Sequence, residues 1–267
     1  MASPALTDIK IPAQLLPLDG RFGSGPSKIR TEQIDAVVRA SRNILGTSHR
    51  QAPVKNLVGS VIDQMRQLFQ LPQDWDVVIG NGGASLFWDA ATFGLIHERS
   101  AHFVFGEFSS KFAQAAQLAP HLGDPIVIES APGTVPAIQQ SDVDTYCLTH
   151  NETSTGASMQ LSRPATPADA LVVVDGTSAA GGINWSPTEV DVYYFSPQKG
   201  FASEGGTWIA LCSPRAVERI NKIKSTGRWC PPSLDISLAL ENSRANQTYN
   251  TPSLSTFVML NEQLGWM

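Results

Sequence analysis

Three stretches of the 267-residue chain carry residue types that could do chemistry, each just after a short apolar run. Val77-Val78-Ile79 leads into Gly80-Asn81-Gly82-Gly83-Ala84-Ser85 and then a helical pattern. A glycine turn at a helix N-terminus can hold a phosphate on its free backbone N–H groups, although a turn that only reverses the chain has the same composition. The stretch matches neither GxGxxG nor the Lys-bearing phosphate loop. Leu171-Val172-Val173-Val174 ends in Asp175. A buried strand that delivers a carboxylate at its tip calls for a charge partner or a cation, because an unpaired buried carboxylate is costly; capping of the Gly176-Thr177-Ser178 turn is the plainer alternative. Val192-Tyr193-Tyr194-Phe195 runs through Ser196-Pro197-Gln198 into Lys199. A lysine at such depth can have a lowered pKa and act as a nucleophilic amine, whereas a lone lysine in solvent would do nothing.

Ligands of open α/β sheets bind beyond the carboxyl ends of the strands, which is where all three stretches fall. Together they offer an amine that can form an imine, a carboxylate that can hold a pyridinium proton and a helix terminus that can take a phosphate. That set is what pyridoxal 5′-phosphate requires.

The elements that must position these groups can be read from periodicity. Helical spacing runs from Thr31 to Leu45 (Ile34, Val37, Val38, Leu45) and from Val54 to Phe69, with Leu57, Val58, Val61, Met65, Leu68 and Phe69 inward. Strand-like runs follow at 77–79, 102–105, 126–128, 145–148, 171–174, 192–195 and 207–211, with helical segments at 84–96 and 109–118 between the earlier ones. The alternation predicts an α/β fold with a mostly parallel sheet and helices on both faces. The stretch Lys199 to Gly206 is too short for a crossover helix and leaves room for an antiparallel last pair. Ser253 to Met267 reads as the opening of an amphipathic helix without a stop signal, and the expectation is a truncated protein.

Composition removes other classes. Lys and Arg total 19 against 24 Asp and Glu, with no like-charge run, so nucleic acid is not an expected partner. No stretch approaches the roughly 18 consecutive apolar residues of a membrane span, and Met1 to Pro17 lack a signal-peptide pattern. Cys147, Cys212 and Cys230 form neither a disulfide framework nor a zinc site, so no metal is expected, and the thiols point to the cytoplasm.

From Arg21-Phe22-Gly23-Ser24-Gly25-Pro26-Ser27 to its end, the chain resembles the phosphoserine aminotransferases in their actinobacterial branch, which are fold-type I pyridoxal-phosphate enzymes. The specific stretches are Gly46 to Val54 (GTSHRQAPV), Gly80 to Ser85 (GNGGAS), His150 to Gly156 (HNETSTG), Ser196-Pro197-Gln198-Lys199 and Asn246 to Pro252 (NQTYNTP). The resemblance implies that Lys199 is the Schiff-base lysine and Asp175 the partner of the pyridine nitrogen. It further implies that Phe108 stacks on the cofactor ring, that Thr153 lies near the ring's phenolic oxygen, and that Ala84, Ser85 and Gln198 contact the phosphate. Asn250 and Thr251 would reach the neighbouring subunit's cofactor across a homodimer with shared sites. His49 and Arg50 would meet the substrate's anionic groups.

The implied activity is amino transfer between L-glutamate and 3-phosphohydroxypyruvate in serine biosynthesis, with 4-phosphohydroxythreonine of pyridoxine synthesis as a further substrate of relatives. Some members carry a basic residue where this chain has Ser85, which leaves the phosphate more to backbone N–H groups. The family pattern continues into a smaller C-terminal domain with further His and Arg contacts. The expected division is therefore an N-terminal segment 1–30, a cofactor-binding large domain 31–252 and, at 253–267, the start of a helix leading to a domain this chain lacks. Serine– or alanine–glyoxylate aminotransferases, a cysteine desulfurase and a non-catalytic cofactor-binding dimer are the alternatives; no cysteine sits in the Gly/Ser-rich loop a desulfurase needs.

Overall fold

The computed structural model describes residues 10–165 and 169–267. Of the expected N-terminal segment, residues 1–9 lie outside the described residues, as do residues 166–168 of the expected large domain. Each apolar run forms a strand: β1 (Asp76–Asn81), β2 (Ser100–Val104), β3 (Ile126–Glu129), β4 (Thr145–Thr149), β5 (Leu171–Asp175), β6 (Val192–Phe195) and β7 (Thr207–Cys212). The helices are α1 (Thr31–Ala40), α2 (Ala52–Leu68), α3 (Ala84–Gly94), α4 (Glu107–Leu118), α5 (Pro214–Ser225), α6 (Ile236–Arg244) and α7 (Leu254–Trp266).

The sheet order is β1-β7-β6-β5-β4-β2-β3. Only β7 is reversed, lying antiparallel between β6 and β1, as the short connection before it allows. Successive strand residues point to opposite faces, so the continuous apolar runs feed two cores. Val172, Val174, Tyr193, Phe195, Ile209 and Leu211 pack with residues of α1, α2 and α7. Val173, Val192, Tyr194 and Ala210 pack with residues of α3, α4, α5 and α6.

The first helix differs from its periodicity. It stops at Ala40 rather than Leu45, and Ile34 and Val38 are exposed. Its inner face is Gln33, Ala36 and Ala40, because the buried Gln33 amide donates to the carbonyls of Ala202 and Met259 while its Oε1 accepts from Arg30 N. A polar residue that ties a helix to two loops lies outside an apolar count. Helices α5 and α6 were not anticipated at all, although Ser213 and Asp235 cap their first turns and Pro214 opens α5. Cys147 and Cys212 are buried core thiols, Cys230 is half-buried, and all three are free. Among the described residues no helix is long and apolar enough to cross a membrane.

Candidate active site

Because β1, β2, β4, β5 and β6 all point the same way, the residues that follow them meet at one edge of the sheet. There they line a cavity of ≈ 250 Å³ whose walls include Ala84 and Ser85 after β1, Phe108 after β2, Thr153 after β4, Asp175 at the tip of β5, and Gln198 and Lys199 after β6. Seven of the residues singled out from sequence thus share one pocket.

Lys199 enters from the β6–β7 connection, and its Nζ donates to Thr153 Oγ1 at 2.7 Å and lies 5.4 Å from the centroid of the Phe108 ring. Burial pushes this amine below the ordinary lysine value, while the charges of Asp175 and Glu152 draw it back up. Gly25 closes over the lysine stem: its φ is +135°, and a Cβ there would stand 3.0 Å from Lys199 Cγ. Gly25 and Pro26, from the segment expected as a preamble to the domain, are therefore part of the pocket wall.

Asp175 is 6% exposed. Its Oδ1 accepts from Thr177 N at 2.8 Å, so the turn-capping alternative is also realised; Oδ2 accepts from the Tyr194 hydroxyl at 3.2 Å and Trp88 Nε1 at 3.4 Å. Burial pushes the carboxyl above the usual aspartate range, against the downward pull of those hydrogen bonds. Trp88 and Tyr194 escaped the sequence reading. The signal was available: Trp88 sits one helical turn past Ala84, and Tyr194 pairs with Asp175 in the parallel β5–β6 register.

The end of the cavity suited to an anion is the N-terminus of α3. Gly83 is its N-cap and no side chain caps it; Leu86 N–H donates to the Gly83 carbonyl at 3.0 Å, which leaves the N–H groups of Ala84 and Ser85 beside the cavity. Gly82 has φ +105°, a conformation that favours glycine and lets the turn run from β1 straight into the helix.

His49, Arg50, Asn250 and Thr251 do not line this cavity. They gather beside it, where Thr251 Oγ1 meets His49 Nδ1 at 2.9 Å and Arg50 Nη1 donates to Gln247 Oε1 at 2.6 Å. Asn81, at the tip of β1, joins the two groups by accepting from Asn250 N at 3.2 Å. Arg50, Asn250 and Thr251 are exposed, while burial, aided by the charge of Arg50, lowers the His49 pKa.

Orphaned groups test whether the cavity suits pyridoxal phosphate. Thr177 Oγ1 and Gln198 Oε1 line it, are shielded from solvent and have no hydrogen-bond partner among the described residues. Among the described residues no basic side chain forms an ion pair with the buried Asp175. A flat cation-bearing ring with hydrogen-bonding substituents pairs the Asp175 carboxylate and the Thr177 hydroxyl, and Gln198 would meet an anion through its NH₂ rather than Oε1. Among the described residues no group of three or more His, Cys, Asp or Glu is arranged to hold a metal.

Residues 22–267 match the aminotransferase class-V family. The chain is 55% identical over 266 residues to the phosphoserine aminotransferase of Nocardioides sp., a match spanning 98% of this chain and 71% of that protein. It is 52% identical over 258 residues to the phosphoserine aminotransferase of Rhodococcus jostii, spanning 96% of this chain and 69% of the relative. The crystal structure of a phosphoserine aminotransferase from Cytophaga hutchinsonii superposes with a TM-score of 0.81 at 26% identity, covering 92% of this chain and 70% of that one.

Proposed function

The chain belongs to the class-V aminotransferases and depends on pyridoxal 5′-phosphate, and on that premise we propose that it moves an amino group between L-glutamate and 3-phosphohydroxypyruvate, giving O-phospho-L-serine and 2-oxoglutarate. The observation that carries this reading is the convergence of Lys199, Asp175, Phe108 and the uncapped N-terminus of α3 in one cavity.

The cofactor supplies an aldehyde carbon and an electron-accepting ring. In our assignment Lys199 would hold it covalently, and Nζ would take and return the proton at the substrate α-carbon. A lowered amine pKa favours the neutral form needed for both tasks. Asp175 holds a proton on the ring nitrogen; its burial makes a cationic neighbour favourable, and Trp88 and Tyr194 fix the acceptor oxygen. Phe108 covers one ring face and Thr153 orients the amine. Ala84, Ser85 and Gln198 receive the phosphate.

The rim group takes the remaining roles in this proposal. Asn250 and Thr251 reach the cofactor phosphate of a partner subunit in a homodimer, an assignment supported by their exposure outside their own chain's cavity. Arg50, with His49 beside it, receives an anionic group of the substrate on its guanidinium fork. We place the activity in serine biosynthesis and in the cytoplasm, consistent with three free thiols, and the use of 4-phosphohydroxythreonine is part of the same proposal.

The test is a pair of half-reactions on the cofactor-loaded chain. L-glutamate should yield one equivalent of 2-oxoglutarate, and subsequent 3-phosphohydroxypyruvate should yield O-phosphoserine. Turnover confined to alanine or serine with glyoxylate would reassign the substrate class.

A further inference from the structure

Glu152 is fully buried, 0% exposed, and does not line the cavity, yet it adjoins Thr153 in the turn after β4. Every polar group that meets its carboxylate is a donor. Oε1 accepts from Phe108 N at 3.3 Å, Ser154 N at 3.2 Å and Ser154 Oγ at 2.8 Å. Oε2 accepts from Ser109 N at 2.9 Å and Ser109 Oγ at 2.8 Å. One carboxylate thus closes the first turn of α4, which carries Phe108, and the turn that carries Thr153, two segments more than forty residues apart in sequence.

We infer that Glu152 is a positioning residue for the cofactor: its carboxylate locks the Phe108 ring and the Thr153 hydroxyl at a fixed separation around the Lys199 amine. The inference rests on the cofactor assignment made above. Three of the five donors are backbone N–H groups, which cannot reverse their role, and they fall on both oxygens. An amide in place of the carboxylate must therefore set its NH₂ against a backbone N–H, whichever way it is turned. The negative charge also sits at the positive end of the α4 dipole. Burial alone would raise this carboxyl, but the bonds from Ser109 and Ser154 prevail and hold it below the usual glutamate range. The clamp has little slack, since a Cβ on Gly106 would collide with the Glu152 side chain.

Cofactor titration of the full chain, followed by the visible circular dichroism induced in bound pyridoxal phosphate, tests this. Glu152→Gln should raise the dissociation constant by about tenfold or more and diminish the induced dichroism, because a buried donor loses its acceptor next to the ring-facing residues. An unchanged dissociation constant and unchanged dichroism, with only the cofactor-free melting temperature lowered, overturns the inference, since that is what a plain helix cap would give. Should Glu152→Gln fail to fold, Ser154→Ala, at an exposed residue that donates to Oε1, should shift the dissociation constant by about threefold in the same direction, and no shift overturns the inference. Lys199→Ala is run in parallel. Loss of the Lys199-dependence of the signal in the parent chain removes the cofactor assignment together with this inference; a Lys199-dependent signal that Glu152→Gln leaves intact removes the inference alone.

Discussion

The cavity at the strand tips and the rim group beside it are built from different materials. Most cavity residues lie within a few residues of the tips of buried strands; Asp175, Thr153 and Lys199 are paired within the chain, and Thr177 Oγ1 and Gln198 Oε1 are shielded from solvent. The rim residues His49, Arg50, Gln247, Asn250 and Thr251 sit on connecting segments, and Arg50, Asn250 and Thr251 are exposed. A group that binds and activates a cofactor must be preorganised, and a close-packed sheet edge provides that. A group that meets a substrate or a second subunit can remain on loops. The cavity half of the site is therefore held by the sheet edge, whereas the rim half lies outside that cavity.

The largest expected effect lies in the cavity. Lys199→Ala should lower amino transfer by roughly a thousandfold or more, since one side chain serves as covalent anchor and proton carrier; single-turnover absorbance with L-glutamate reads it. Asp175→Asn should lower the same half-reaction by roughly a hundredfold, with substrate affinity little changed. A near-normal rate would put ring-nitrogen protonation elsewhere. At the rim, Arg50→Ala should raise KM for the anionic substrate by about tenfold while the spectrum of the bound cofactor stays as it was, because a charge-assisted bond is lost without touching the cavity. A changed cofactor spectrum in that variant would erase the distinction between the two regions.

The smallest effect is electrostatic. In the cofactor-free chain, Lys199 should be labelled by an amine reagent at lower pH than exposed lysines, because burial lowers its pKa against the raising influence of Asp175 and Glu152. Asp175→Asn removes one of those negative charges and should move the labelling midpoint lower still. A midpoint that rises would reverse the assigned sign.

Much of the sheet was legible because, the edge strand β3 aside, both its faces are buried, which turns the strands into largely apolar runs between turn residues. Lys199 and Asp175 were legible for the same reason, as each ends or follows such a run. What the sequence hid was set by partners distant in the chain. Gln33 faces inward because carbonyls of Ala202 and Met259 await it, Trp88 and Tyr194 matter because they meet at Asp175, and Glu152 meets Phe108 and Ser109 across more than forty residues. Periodicity records which side chains are apolar; it carries no record of which distant donor a buried acid will find. Helix α5, by contrast, was legible from its own residues, since Ala216, Val217, Ile220 and Ile223 recur at helical spacing after Ser213 and Pro214.

Borohydride reduction of the cofactor-loaded chain, followed by peptide mapping, tests the central claim most directly. The account predicts a pyridoxyl label on Lys199 alone, lost in Lys199→Ala with the other lysines still unlabelled. A label on another lysine, such as Lys28 or Lys111, with Lys199 unmodified, would contradict it.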